Sequence, residues 1–574
     1  MRNSMYTTSF ARCFSSLNFS RAMFFRHFSD TGRGANTLPN LIKSVPYNYR
    51  PWATRLAREA LTDYLHSTRG LPFTYAELIS KNSTHCLYET MSRVPFSPLS
   101  FRKKFSMFLR YNPINEFGFF FESIGIEYGD VNGVLKPNVH FFSEDCVVLD
   151  AACYLAGYGF PWDKLGRLYL EEASIFGKEA EFLSERIDGL VSLGFDNQQI
   201  VGICLTFPCV LKGEGRGLSD ENGALLDDLK RVFVDFDFGS YWERNADVWS
   251  EVCRKMKVFY DLGVAKGEVG KLLVKGRSIL TDFSEEVLVK KVEFFSRLGS
   301  EKVEVGLLIL SNPEILSIQL HDRVISVSSL LEHFGLCKNK LKFVEQNYKY
   351  AFGRNNMVNL PNILKAIDLH EWFFDRMKCG YHHLFANYDL TSPDDGVDEK
   401  YVQSMERIKS RRTYIYSSSK LEFFHGIGFG ENGHTMKLLV DVHVSPSELQ
   451  LRFDFLLNKG IKFPKLCKMI IRAPKILNQD IDSFTEKINY LEEIGFSLDY
   501  LEVFPAYLFY NLEKRIKPRY KFHMWLIEQG LCTKKYTLSS IIAVSHKVFL
   551  SQLSRIHPTA PQLWLERHGT KNPD

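Results

Sequence analysis

The chain has 574 residues, 45% apolar and 24% charged, proportions that suit a folded protein and exclude wholesale disorder. No run approaches the roughly 18 apolar residues that a membrane span needs, which excludes an integral helical membrane protein. Net charge is only +5 but unevenly placed: residues 1–29 carry +4, residues 30–400 carry −7, and residues 401–574 hold 25 Lys and Arg against 17 Asp and Glu. A basic carboxyl-terminal third on an acidic body points to a polyanion-binding end. The eleven cysteines are scattered, odd in number and without a Cys-x-x-Cys pair, which suits a reducing compartment.

In chain order, the first element is an address. Arg2, Arg12, Arg21 and Arg26 are spread through a serine-rich stretch whose first acid is Asp30. That composition predicts a transit peptide over 1–28, with the cut after Phe28, and a mitochondrial rather than chloroplast destination. Residues 29–95, richer in Pro, Asn and Ser, read as a linker or amino-terminal extension with some helix near Trp52–Leu65.

Beyond them runs a repeat. Apolar helical stripes close on glycine at Gly125, Gly159, Gly194, Gly263, Gly299, Gly335, Gly380, Gly428, Gly460, Gly495 and Gly530. The usual gap is 32 to 36 residues; one of 69 spans two periods with a marker missing near Gly239, and gaps of 45 and 48 imply inserted sequence around 385–415. Glycine just past the last periodic residue is a helix stop. Fourteen residues after Gly194, Gly299 and Gly460 comes proline (Pro208, Pro313, Pro474), and three further on leucine (Leu211, Leu316, Leu477). Gly495 has its proline four residues early, Pro505, followed by Leu508, whereas Gly263 has Arg277 in the proline slot before Leu280. Asp196 or Asn197 is expected to cap the helix running to Thr206, and Ser483–Glu486 reads as a capping box opening the helix that closes at Gly495.

Each unit is thus helix, glycine turn, helix, proline turn. One helix pair cannot bury its own apolar face, so the units must stack. The prediction is an all-α, right-handed-type helical-repeat solenoid over residues 96–550, without β-sheet, its concave surface lined by one helix of each pair. Residues 551–574 read as a tail. Around Gly335, Gly380 and Gly428 the proline is missing.

The tracts KLEFFHGIGF, FDFLLNKGIKFPKLCKMIIRAPKIL and INYLEEIGFSLDYLEVFPAYLFYNLEKRIKPRY within Leu421–Lys521, and FFFESIGI at Phe119–Ile126, resemble the mTERF family of organellar transcription termination factors. The resemblance covers about 450 residues. It implies a half-ring of helical repeats whose basic groove holds nucleic acid.

The best candidate surface is the acid-free stretch Lys459–Lys475, where Lys465, Lys468, Arg472 and Lys475 follow spacings of three, four and three along one helix face. A row of cations there can track phosphates. The second is Lys514, Arg515, Lys517, Arg519 and Lys521, expected to straddle a turn at Pro518; the resemblance makes it the family's terminal basic motif. A third cluster, Arg407, Lys409, Arg411 and Arg412 beside Tyr414 and Tyr416, could grip phosphate and stack a base or be a loop. No pair of residues recurs at fixed repeat positions as a one-base-per-repeat code requires.

Several motifs are set aside. Gly428-x-Gly430-x-x-Gly433 lacks the preceding strand a dinucleotide loop needs. Gly213–Gly217 reads as a surface turn, His370-Glu371 lacks its second histidine, and His382-His383 is an isolated pair. The expectation is a monomeric mitochondrial protein, not an enzyme, with no cofactor and no metal. Its partner would be double-stranded DNA, held so as to pause or terminate transcription. Alternatives are an RNA-binding factor for intron splicing or ribosome assembly, and a protein-interaction scaffold supported by the acidic body.

Overall fold

The computed structural model describes residues 42–213, 220–235, 245–299, 301–320, 323–390, 392–410, 413–534 and 536–569. The expected transit peptide, the missing marker near Gly239, Arg411 and Arg412, and most of Gly213–Gly217 lie outside them.

Ten of the eleven ladder glycines have positive φ, from +70° at Gly530 to +126° at Gly159, conformations in which a side chain is strained. Gly299 is the exception, extended at φ −84°. Its reason is space: a Cβ there would lie 2.4 Å from Val305 and 2.9 Å from Phe374. Between glycine and proline sits a second helix of ten residues: Asn197–Thr206, Lys302–Ser311 and Phe463–Arg472. The early Pro505 has a simple cause, because the second helix of that unit is only Tyr500–Val503. Pro313, Pro474 and Pro505 each open a short 3-10 turn, and Pro208 precedes the four-residue helix Cys209–Lys212; the following leucine is buried in every case. The protein is thus built of α-helical repeats.

Asp196 does cap Asn197–Thr206, sharing a reciprocal capping box with Gln199. The Ser483–Glu486 box is corrected: the helix begins at Ile481, and Asp480 accepts from Ser483 N at 2.6 Å. An aspartate three residues earlier takes the orphan donor first.

A further regularity escaped the sequence reading. Eight residues before six of the ladder glycines stands a cation: Arg186, Lys255, Lys291, Lys420, Arg452 and Lys487. Lys291 donates to Leu316 O, Arg452 to Leu477 O at 2.7 Å, and Lys487 to Leu508 O at 2.7 Å, in each case the leucine three residues after the proline. Lys420 reaches Val442 O at 2.7 Å, and the Arg186 guanidinium lies where a Cβ on Gly213 would fall. In four of these units a long side chain from the first helix thus satisfies a carbonyl at the unit's end, in three of them the one that closes the proline turn, whereas Lys255 pairs with Glu251.

The chain divides into two compact units. The first holds the described residues up to Tyr260 together with Ala265–Val274. Here the segment read as a linker is helical from Arg50, with helices Arg50–Ser67, Phe73–Asn82 and Thr84–Ser92, and packs on the first repeat. Two carboxylates of the fully buried helix Glu116–Ser123 tie it down. Glu116 accepts from Tyr64 Oη at 2.8 Å and Phe142 N at 2.9 Å, and pairs with Arg69. Glu122 accepts from the backbone N of His85 and Cys86 at 2.6 and 2.9 Å. Buried Asp228 likewise holds the 264–270 turn, accepting from Tyr260 Oη, Gly267 N and Gly270 N at 2.7–2.8 Å.

The second unit holds Asp261–Val264 and the described residues from Lys275 onward. Its middle, where the repeats lack the marker proline, departs from the expected sheet-free ladder: Val324–Ser326 and Arg354–Asn356 form a two-stranded antiparallel ribbon, with a bridge from Arg354 to Glu431. Without a proline turn to end the repeat, extended backbone pairs with extended backbone. The inserted stretch is anchored on this ribbon. Tyr388 Oη lies 3.1 Å from Ser326 N and 3.2 Å from Ser326 O, and Arg354 Nε donates to Asp395 O at 2.8 Å. It then forms the helix Glu399–Lys409, capped by Asp398. The expected tail is also structured: helix Ala560–His568 buries Trp564 against Phe522 and Phe549, with ring centroids 5.1 and 4.9 Å away.

Candidate nucleic-acid interface

The helix Phe463–Arg472 takes Pro464 in its first turn, where no N–H is needed. Leu466, Cys467, Met469 and Ile470 are buried, so Lys465, Lys468 and Arg472 fall to the other side, and Lys475 follows in the Pro474–Asn478 turn. This helix packs between Leu360–Ala366 and Tyr500–Val503. The row is therefore not a free line of charge. Lys465 pairs with Glu502 and with Asp499 at 3.6 Å, which raises its pKa, the Glu502 hydrogen bond foremost. Arg472 Nη1 donates to Glu502 O at 3.0 Å but is otherwise exposed. Lys468 sits 4.0 Å above the Tyr348 ring, its ammonium held below the usual lysine range by burial and then by the Arg472 charge. Lys475 is exposed, and no side-chain partner meets it among the described residues.

The second cluster divides more sharply. Pro518 does not break it: the π-type turn Leu512–Ile516 runs straight into the helix Lys517–Glu528, again with proline in the first turn. Arg519 is fully buried, with Nη1 donating to Val544 O at 2.6 Å and Ile541 O at 3.2 Å, and its guanidinium 4.6 Å from the Phe549 ring. It cannot meet a phosphate without unfolding its surroundings. Arg515 donates to Ile542 O and Val544 O, both at 2.9 Å, and so closes the end of Leu538–Ile542. Lys517 pairs with Glu513 beside the Tyr490 ring. Lys514 and Lys521 are exposed. Sequence alone could not separate these roles, since the carbonyls that use the arginines lie 22 to 29 residues further on.

In the third cluster, Arg407 and Lys409 end the Glu399–Lys409 helix and are exposed. Tyr416 is exposed but engaged: Lys420 Nζ lies 4.3 Å from its ring centroid, and its hydroxyl donates to His443 O at 3.3 Å. The histidine pair is occupied separately, His382 with Glu314 at 2.9 Å and His383 with Gly380 O at 2.8 Å. Gly428 follows a helix, Tyr414–Gly426, and Gly430 lies against backbone, where a Cβ would meet Phe352 O at 2.3 Å, leaving no room for a pyrophosphate. Among the described residues no group of three His, Cys, Asp or Glu could hold a metal, and no helix is long and apolar enough to cross a membrane.

Comparison with known proteins agrees with this architecture. The mTERF family model matches residues 246–365 and 419–550, leaving out the stretch that carries the insertion. The mitochondrial transcription termination factor MTEF18 of Arabidopsis thaliana is 45% identical over 545 residues, spanning 95% of this chain and 98% of that protein. The chloroplastic factor MTERF8 and the mitochondrial factor MTERF15 of the same plant are 29% and 28% identical over 20% and 21% of this chain, and 25% and 27% of their own lengths. The mitochondrial address read from the amino terminus agrees with the location of MTEF18. Helical repeats punctuated by glycine and proline, the quoted tracts and near full-length similarity to MTEF18 together place the chain in the mTERF family.

Proposed function

We propose that this mitochondrial protein regulates transcription by binding double-stranded DNA, without catalysis, so that the bound protein pauses or terminates a polymerase. The observation that carries the reading is the group Lys468, Arg472 and Lys475. One cation is perched on the face of Tyr348, one is exposed with a single carbonyl partner, and one has none among the described residues. Cations left accessible at the edge of packed helices contact phosphates, which supply affinity without sequence choice. Lys514 and Lys521 extend the same surface chemistry, whereas Arg515 and Arg519 belong to the fold. The names of MTEF18, MTERF8 and MTERF15 as transcription termination factors support the transcriptional role.

The test is retention of the full chain on labelled duplex DNA, duplex RNA and single strands across a salt series. Lys468→Glu/Arg472→Glu/Lys475→Glu is expected to weaken duplex DNA binding at least tenfold and to reduce the salt slope by about 2–3. Unchanged retention by a folded triple variant defeats the assignment. Preference for duplex RNA or single strands moves the target to RNA.

A further inference from the structure

The helix Phe101–Tyr111 lies in the first unit, ahead of the residues matched by the family model, which begin at 246. Its inner face is ordinary: Phe101, Phe105 and Leu109 recur every fourth residue and are buried where it packs on the helix Arg50–Ser67. Arg102 clamps the pair from the side, reaching Asp63 at 3.2 Å and Glu59 at 3.9 Å. The outer face is different. Lys103, Met107, Arg110 and Tyr111 recur at helical spacing and are all exposed, Met107 by 50% and Tyr111 by 79%, and Leu99 in the preceding turn is wholly exposed.

Between this stripe and Trp52 and Leu56 of the neighbouring helix runs an open groove of about 700 Å³. Aromatic contacts brace it: Tyr49 meets Trp52 and Phe96 with ring centroids 6.3 and 5.7 Å apart, and Phe96 meets Phe101 at 5.6 Å. Single apolar side chains on a surface need no explanation, but a concave strip that gathers Trp52, Leu56, Leu99, Met107 and Tyr111 marks a contact site.

Charge decides what fits it. Lys103 and Arg110 border the groove, and among the described residues no hydrogen-bond or ion-pair partner meets either side chain. From Pro98 to Asn112 there are four cations and no acid, inside a stretch, 30–400, whose net charge is −7. Glu59 and Asp63 are already engaged by Arg102, so the groove's unmatched charge is positive. The basic amino-terminal stretch, residues 1–29 at +4, is excluded as occupant by its own charge. A nucleic-acid backbone would match the cations but set phosphates against apolar walls. A bilayer surface, being flat, would meet Leu99 and Tyr111 without filling the trough between two helices.

We propose that this groove docks an amphipathic helix of a partner protein, its apolar stripe laid along Trp52, Leu56 and Met107 and its flanking Asp or Glu side chains paired with Lys103 and Arg110. The eleven residues of Phe101–Tyr111 span about 16 Å, room for about three turns of such a guest. The inference concerns the first unit alone, whereas the nucleic-acid residues belong to the second, so it stands or falls separately from the functional reading.

The experiment titrates the full chain with two labelled helical peptides of about 18 residues, each carrying leucines three and four apart, one flanked by glutamates and the other by lysines. The glutamate peptide is expected to bind, and the lysine peptide to bind at least about tenfold more weakly. Met107→Gln should weaken the glutamate peptide about fivefold. Lys103→Glu/Arg110→Glu should reverse the preference, a gain for the lysine peptide that a misfolded variant cannot produce. Duplex DNA affinity should stay at the wild-type value in both variants. In mitochondria, Met107→benzoylphenylalanine should crosslink to a protein segment whose apolar stripe is flanked by acids, and should fail to do so when combined with the double reversal. Equal binding of the two peptides, binding of neither, or an unchanged preference in the reversal variant overturns the inference. Dimers lost in Met107→Gln would make the occupant a second copy, anionic vesicles held by the same residues a lipid surface, and a loss of duplex affinity in the reversal variant a nucleic acid. Each of these overturns the proposed partner.

Discussion

The repeats that close at Gly460 and Gly495 and the stretch from Leu320 to Asp441, whose repeats lack the proline turn, must do the same thing, which is to turn the chain and satisfy the carbonyls left at each turn. The first pair does so with local grammar: a positive-φ glycine, a proline-led 3-10 turn, and Arg452 or Lys487 donating to the final carbonyl. The other stretch does so with contacts far apart in sequence. Asn432 donates to Tyr350 O and Phe352 O at 2.8 and 2.7 Å, Asn355 to Phe429 O at 2.9 Å, and Asn362 to Gly426 O at 2.7 Å. Glycines there are needed for close approach of backbone to backbone, as at Gly430. A repeat can lose its punctuation when side-chain amides take over the turning, and the cost is tight packing that tolerates little change.

That contrast is breakable at single glycines. In Gly430→Ala the added methyl would lie 2.3 Å from Phe352 O, with Phe352 C and Ala351 O close behind, so backbone must move. A loss of roughly 3 kcal/mol or more is expected, within the range of overpacked sites. Gly460→Ala meets nothing within 4 Å and pays only for its φ of +98°, about 1–2 kcal/mol. Urea unfolding of both variants checks the order, and an equal loss would show that the two regions are not built differently.

The regular repeats make a second, pH-dependent claim. Lys487 is buried, and desolvation lowers its pKa to about 8, opposed by Asp480 and Glu486. An unfolded lysine stays protonated to about 10.4. Between the two values the unfolded state carries the extra proton, so wild-type stability rises with pH, by at most about 1.4 kcal/mol per pH unit. Below pH 8 both states are protonated and the slope from this group vanishes. The neutral amine can still donate to Leu508 O and Gln479 Oε1, so the latch survives deprotonation. Unfolding of wild type and Lys487→Met between pH 7.5 and 10 should show the wild type gaining on the variant, and parallel curves would refute the assignment.

Much of this was legible beforehand, and the reasons are physical. The glycine and proline positions report backbone geometry that other residues adopt poorly, so a ladder of them announces its turns without any knowledge of neighbours. The cations at Arg186, Lys291 and Arg452 were legible too, at a constant eight residues before glycine, but a single charge on a helix carries no mark of what it will face. The second basic cluster failed for the same reason. Lys514, Arg515, Lys517, Arg519 and Lys521 form one run in sequence and three environments in space: buried on carbonyls, paired with an acid, and exposed. Lys465 looked acid-free because Asp499 and Glu502 belong to the next repeat. The ribbon at Val324–Ser326 has its partner 30 residues away, beyond any local pattern.

The smallest expected effect on stability is the one that best separates a charge that folds the protein from one that binds. Lys475→Ala removes an exposed side chain with no partner among the described residues and should change stability by less than about 0.5 kcal/mol. Arg519→Met, by contrast, strips donors from Ile541 O, Ile542 O and Val544 O inside the core and should cost roughly 2–3 kcal/mol. On duplex DNA the order reverses for whatever fraction remains folded: Lys475→Ala lowers the salt slope by about one, and Arg519→Met leaves it unchanged. Charge density along the sequence predicts equal binding losses for the two. The structure predicts opposite rankings, because a guanidinium buried in the core against three carbonyls lies out of a phosphate's reach.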